Sequence, residues 1–277
     1  MARTHLASLT TMNSAAHTPI TFVGGGNMGA ALVAGLLKAG WPASLITVVE
    51  TSSERRAQLS VLFPGIVTSE KIVACTAGVI AVKPPAAVET CAALAQAGAT
   101  RVLSIAAGIG LTTLQAAAGA AAAVVRAMPN TPALVGEGAA AISGSSQCVL
   151  ADMAWAESVL GSVGTVVRVD EKLLDAVTAI SGSGPAYVFL IAEALMESAV
   201  GAGLSPEISN ALVRQLLVGS AKLLQQSTET PAQLRANVTS PNGVTASAIQ
   251  ALEQAGIRAA IEATVQAAVS RSREMGS

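Results

Sequence analysis

Histidine is almost missing from this chain of 277 residues: His5 and His17 are the only two, both in a leader rich in Ser, Thr and Ala. Chemistry in the folded body therefore proceeds without an imidazole as acid, base or metal ligand. Aromatics are as scarce, at 2%, and charged residues make up 12% against 52% apolar, so the interior is built mainly from Ala, Leu, Val and Ile. That much apolar surface excludes disorder. Neither sign of charge dominates: 16 basic and 17 acidic residues leave a net charge of −1, and the basic ones are scattered. The sequence thus offers no electrostatic footprint for nucleic acid or an anionic membrane surface, and a small molecule is the expected partner. Cys75, Cys91 and Cys148 lie far apart with no CxxC spacing. Neither a disulfide framework nor a zinc site is indicated, no metal is expected, and a reducing, cytoplasmic compartment fits.

Long uninterrupted apolar runs are also few. Val102 to Val125 carries no charge over 24 positions, long enough to cross a bilayer. Gly108, Gly110, Thr112, Thr113, Gln115 and Gly119 interrupt it, and it reads as strand, turn and short helix within a soluble domain. Residues 1–18 lack the apolar core of a secretory signal and read as a flexible tail. The remaining length suits two domains, each with its own core.

What is present begins at Ile20 with ITFVGGGNMGAALVAGLLKAG. A short apolar strand leads into a glycine turn, and Leu32, Leu36 and Leu37 follow at helical spacing. Gly24, Gly26 and Gly29 make a GxGxxG pattern between strand and helix. The first glycine permits the turn, the second lets the backbone approach a pyrophosphate, and the third lets helix pack on strand. The helix N-terminus adds N–H donors and a positive dipole for the phosphates. A second strand, Leu45 to Glu50, ends in an acid where the adenosine ribose of a dinucleotide would lie. Glu50 favours a free 2′-hydroxyl, whereas Ser52, Arg55 and Arg56 just beyond it could hold a 2′-phosphate, so these residues leave the coenzyme open. Strand-like runs at Gly78 to Val82, Arg101 to Ile105, Ala123 to Ala127 and Ala139 to Ser143 alternate with Ala-rich helical segments. This alternation predicts an α/β domain over 19–168: a doubly wound parallel sheet of Rossmann type.

From 169 to 277 the strand pattern gives way to helical periodicity, predicting an all-α C-terminal domain. Pro185 to Gly201 and Pro206 to Gln226 each open on a proline, which a helix tolerates in its first turn. Helices so apolar and weakly charged expose too much surface alone, so pairing into a homodimer, or a larger homo-oligomer built from dimers, is expected.

Four stretches carry a resemblance: AVKP at Ala81 to Pro84, RAMPNTP at Arg126 to Pro132, DAVTAISGSGPAY at Asp175 to Tyr187, and above all PAQLRANVTSPNGVTASAIQALE at Pro231 to Glu253. In sequence and order they resemble the pyrroline-5-carboxylate reductases, over roughly residues 20 to 275. The resemblance implies hydride transfer from a nicotinamide cofactor to the C=N carbon of 1-pyrroline-5-carboxylate, giving L-proline in the last step of its biosynthesis. NADPH is the implied coenzyme, with NADH also open. Such a reaction needs little acid–base machinery, because the imine is basic and its iminium form is already electrophilic; the lack of histidine then makes sense.

By the same resemblance the cofactor would meet Gly24, Gly26, Asn27, Met28, Gly29, Ser52, Ala81, Val82, Lys83, Pro84 and Ala107, with Asn237 reaching it from the helical domain. Substrate contacts would come from Glu171, Ser240, Gly243, Val244 and Thr245. In the polar stretch Asn237 to Ala246, a loop turning into helix near Asn242 to Thr245 presents N–H groups to a carboxylate, and Ser240 adds a hydroxyl. Thr245 would donate to the ring nitrogen. Ordinary helix capping is the plain alternative for these residues. SGSGP, Ser181 to Pro185, reads as a break between helices. The stretch Thr68 to Gly78 is shorter than in the family pattern, and no contact is assigned there. Rival readings are an imine reductase with another substrate, a β-hydroxyacid dehydrogenase, and an NAD(P)-sensing scaffold without catalysis. The dehydrogenase is disfavoured because only Lys172 and Lys222 are available as helical-domain lysines, neither in a matching motif.

Overall fold

Strand β1 (Ile20–Val23), ITFV, is buried almost throughout, as β-branched and aromatic side chains suit a sheet covered on both faces. The computed structural model describes residues 17–276. After β1 come α1 (Asn27–Lys38), β2 (Ile46–Val49), α2 (Ser53–Leu62), β3 (Val67–Ser69), β4 (Ala77–Ile80), α3 (Ala87–Gln96), β5 (Arg101–Ser104), α4 (Leu111–Ala118), β6 (Ala123–Met128), β7 (Gly138–Gly144), α5 (Leu150–Gly161), β8 (Gly164–Arg168) and α6 (Leu174–Val177). The strands form one sheet in the order β3-β2-β1-β4-β5-β6-β7-β8. Successive residues face opposite ways: Val79, Leu103 and Val125 enter a core with Phe22, Leu36 and Leu59, while Ile80, Val102 and Val124 enter another with Leu94 and Leu114. The uncharged run Val102 to Val125 is thus strand, helix and strand.

The sheet departs from the expected all-parallel form at one place. β7 runs antiparallel to β6, with Ala127 opposite Ile142, while every other pair is parallel. A parallel neighbour needs a crossover of about a dozen residues or more. Only a 3₁₀ turn, Thr131–Val135, joins β6 to β7. Helix α5 then supplies a full crossover, and β8 returns parallel to β7. The edge strands β3 and β8 escaped the sequence reading; β3 is three residues long and β8 is largely exposed, so neither shows a buried apolar pattern.

The chain divides into two compact units. The sheet unit extends to Val177, beyond the change in sequence character at Val169, and includes Met275 and Gly276; the other unit is Thr178–Glu274. Of the leader, all but His17 and Thr18 lies outside the described residues. His17 sets its ring 4.9 Å from that of Trp41.

The helical unit opens with one π-helical turn, Thr178–Gly182, and a bend at Ser183, where the break was expected. Tyr187 steadies it by donating from its hydroxyl to the Ala179 carbonyl at 3.1 Å. Helices α7 (Gly184–Gly201), α8 (Pro206–Gln226), α9 (Pro231–Asn237), α10 (Val244–Gln254) and α11 (Ile257–Gly276) follow. Pro206 and Pro231 sit at helix starts, behind Ser205 and Thr230, which accept from the Ile208 and Gln233 N–H groups. Buried Ser209 ties α8 to α7 through the Met196 carbonyl, 2.9 Å away. Yet α7, α9, α10 and α11 contain no buried residue, and Phe189, Leu190, Leu212 and Leu223 are each more than half exposed.

Candidate functional site

The C-terminal ends of β1, β2, β4 and β5 form one edge of the sheet unit; the chain runs from β1 outward to β2 and β3, then crosses back to place β4 on the other side of β1. Open α/β sheets bind ligands where the strand order reverses in this way. The glycine turn lies there. Gly24 has φ +107°, and a Cβ on it would meet the Ala81 carbonyl oxygen at 2.5 Å, so only glycine fits. A Cβ on Gly29 would run into the Gly24 carbonyl, which is why α1 can start so close to β1. Around Gly26 there is nothing within 4 Å of an added Cβ. Gly26 is the N-cap of α1, no side chain caps the helix, and its first N–H groups open onto that space. An open cradle lined by N–H groups at a positive helix end fits a pyrophosphate.

The structure gathers most of the expected cofactor residues at this edge. Asn27, Met28 and Gly29 form the first turn of α1. Ala81 and Val82 are half-buried beyond β4, and the Ala81 N–H donates to the Val23 carbonyl at 2.8 Å, holding that loop against the glycine turn. Lys83 is exposed, in front of a 3₁₀ turn that begins at Pro84. Ala107 lies half-buried just past β5. Ser52 caps α2 by accepting from the Arg55 N–H. Glu50 turns its carboxylate inward and accepts from the Gly25 N–H at 3.1 Å and the Ser52 N–H at 3.0 Å. Partial burial pushes the Glu50 carboxyl up, but hydrogen bonds from the Ser52, Gly25 and Thr51 N–H groups and the Thr51 hydroxyl outweigh it and hold the group below its ordinary value.

Glu171 has a built environment in the same unit. Its Oε1 accepts from the Leu111 N–H at 2.6 Å, at the start of α4, and from Arg126 Nη1 at 3.0 Å. Among the described residues no hydrogen bond reaches Oε2, and Glu171 borders a cleft of about 790 Å³ with Thr112, Gln115, Ser145 and Asp170. Arg126 is the partner that sequence reasoning missed; a lone cation inside the apolar strand AVVRAM was the available signal. Its side chain is 13% exposed, so removing its counter-ion leaves a largely buried charge. Glu171→Ala is expected to lower unfolding free energy by about 1–3 kcal/mol, checked by urea denaturation, with Glu171→Gln losing less because it still accepts from Leu111.

In the helical unit the polar stretch is a tight turn into α10. Asn242 has φ 57°, the one positive φ outside glycine among the described residues. The Gly243 N–H donates to the Ser240 carbonyl at 3.1 Å, and Ser240 packs so closely that a Cβ on Gly243 would collide with its hydroxyl. Gly243 is the N-cap of α10 and no side chain caps the helix, so the first-turn N–H groups point outward. Val244 is exposed, and Thr245 is half-buried with no hydrogen-bond partner for its hydroxyl among the described residues. Capping by Thr245 is therefore not its role here. Asn237 is held within its own unit, donating to Glu229 at 2.9 Å and accepting from Gln233 at 2.8 Å.

A doubly wound unit with an open glycine cradle at its switch point, followed by a helical unit with an uncapped polar turn, defines a nicotinamide-dependent oxidoreductase. Residues 171–275 match the family model for pyrroline-5-carboxylate reductase dimerisation, and residues 19–108 that for NADP oxidoreductase, coenzyme F420-dependent. The chain is 40% identical to a pyrroline-5-carboxylate reductase of Pseudomonas aeruginosa, covering 92% of this chain and 96% of that one. The solved structure of a pyrroline-5-carboxylate reductase from Coxiella burnetii matches with TM-score 0.89 and 34% identity, covering 94% and 99% of the two chains. The pyrroline carboxylate reductase of Plasmodium falciparum with NADP bound matches with TM-score 0.80 and 30% identity, covering 94% and 99%. This chain belongs to the pyrroline-5-carboxylate reductase family.

Proposed function

We propose that the chain reduces 1-pyrroline-5-carboxylate to L-proline with hydride from a reduced nicotinamide dinucleotide, in the cytoplasm. The observation that carries this reading is the uncapped start of α10 at Gly243 with the unpartnered Thr245 hydroxyl beside it. The sheet unit would hold the dinucleotide on Gly24, Gly26 and Gly29, with Ala81, Val82 and Ala107 along the crevice. When bound, the cofactor supplies the hydride; the protein supplies orientation and charge stabilisation. The Val244 and Thr245 N–H groups and the Ser240 hydroxyl would take the substrate carboxylate. Thr245 would donate a hydrogen bond to the ring nitrogen as hydride adds to the carbon and the C=N double bond becomes C–N, the nitrogen taking its proton from water. Glu171, a substrate contact by resemblance, would keep Oε2 for a ligand, with Oε1 fixed by Arg126 and Leu111. Loss of absorbance at 340 nm on adding pyrroline-5-carboxylate and NADH or NADPH, with proline formed in equal amount, tests the reading; a silent enzyme with intact coenzyme binding sinks it.

The helical unit would pair with a second copy, because five helices hold only Ser209 and Val213 as buried residues. Light scattering at micromolar concentration is expected to give twice the mass of one chain or an even multiple. A stable monomer there would remove the pairing.

A further inference from the structure

We propose that Glu50 makes this chain prefer NADH, its carboxylate receiving the adenosine 2′-hydroxyl and rejecting a 2′-phosphate. The inference rests on the dinucleotide reading of the glycine cradle and reverses the NADPH expectation that came from resemblance. Glu50 follows directly on β2, and its carboxylate is bonded to the glycine turn itself through the Gly25 N–H. Oε1 is fixed by the Ser52 N–H and, at 3.4 Å, by the Thr51 hydroxyl. These donors, with the Thr51 N–H, hold one rotamer against the cradle and favour the ionised form. Among the described residues Oε2 accepts only from the Gly25 N–H, so it keeps a lone pair for a ribose hydroxyl but offers a phosphate only like charge.

The residues that could compensate are engaged elsewhere. Arg55 Nε donates to the Gly25 carbonyl at 2.8 Å, and its Nη1 to Gln58 at 3.1 Å. Arg56 Nη1 donates to the carbonyls of Glu50 at 2.6 Å and Thr51 at 2.9 Å, and its Nη2 lies 3.9 Å from Glu70. Turning either guanidinium towards a 2′-phosphate would strip the turn of a charge-assisted hydrogen bond. Both arginines shape the pocket that presents Glu50.

Calorimetric titration with NAD⁺ and NADP⁺ tests this without the pyrroline substrate. The wild-type protein is expected to bind NAD⁺ about tenfold or more tightly than NADP⁺, and kcat/KM for NADH to exceed that for NADPH in step. Glu50→Gln keeps the shape and one acceptor but removes the charge; it should narrow the ratio about tenfold, chiefly by strengthening NADP⁺. Arg55→Ala should weaken both nucleotides alike, because Arg55 only supports the turn. NADP⁺ binding as well as NAD⁺ to the wild type overturns the assignment, whatever the variants do. Selective loss of NADP⁺ in Arg55→Ala overturns it too, by showing that Arg55 turns onto the phosphate. Absence of both interactions would remove the dinucleotide site itself.

Discussion

Gly26→Val is expected to abolish dinucleotide binding while leaving the protein folded. Folding survives because Gly26 has φ −66° and ψ −173°, which any residue adopts, and an added Cβ meets nothing within 4 Å. Binding fails because that empty space is the cradle, and a valine there holds the phosphates away from the N–H groups of α1. Hydrogen bonds to a charged group are worth about 1.5–3 kcal/mol each. Losing two costs about 100-fold or more in affinity. Gly24→Val makes the contrast: its positive φ and the Ala81 carbonyl leave no room, so the fold itself should weaken. Titration of coenzyme fluorescence beside a thermal melt separates the two, and a folded Gly26→Val protein with unchanged affinity would remove the dinucleotide reading.

The same contrast explains what was legible in the sequence. Gly24 and Gly29 are required by their own backbone and nearest neighbours, so their spacing, set between a strand and a helix, was legible. Helix α8 was found to the residue, Pro206–Gln226, because Ser205 and Pro206 mark its start. Strand direction at β7 was not legible, since it depends on the length of the link from β6 rather than on β7's own residues. Glu171 was singled out, but its partners stand 45 and 60 residues away in sequence, at Arg126 and Leu111. Glu50 was read with its coenzyme left open, because only the structure shows that Arg55 and Arg56 are engaged with backbone carbonyls. Local geometry is written locally; the commitment of a charged side chain is settled by its neighbours in space.

Thr245→Ala is expected to lower turnover by about 10- to 30-fold while leaving coenzyme affinity nearly unchanged. A well-placed donor that strengthens in the transition state is worth on the order of 10- to 1000-fold. The lower part of that range applies because water, or an iminium already protonated, can replace the hydroxyl. The structure sharpens the experiment by separating catalysis from stability. Gly243 is the N-cap of α10, and the Thr245 hydroxyl caps nothing. Its removal therefore costs the helix no cap, and alanine is the better helix former, so the variant should melt no lower than wild type. Thr245→Ser keeps the hydroxyl and should retain most of the rate, whereas Thr245→Val keeps the shape and should be as slow as alanine. With the lost contact proposed to be to the ring nitrogen, the deficit of the alanine variant should shrink as pH falls and more substrate arrives as iminium. Wild-type turnover in a folded Thr245→Ala oligomer across that pH range would leave only the carboxylate anchor, Ser240 with the N–H groups of α10, as the work of the polar turn.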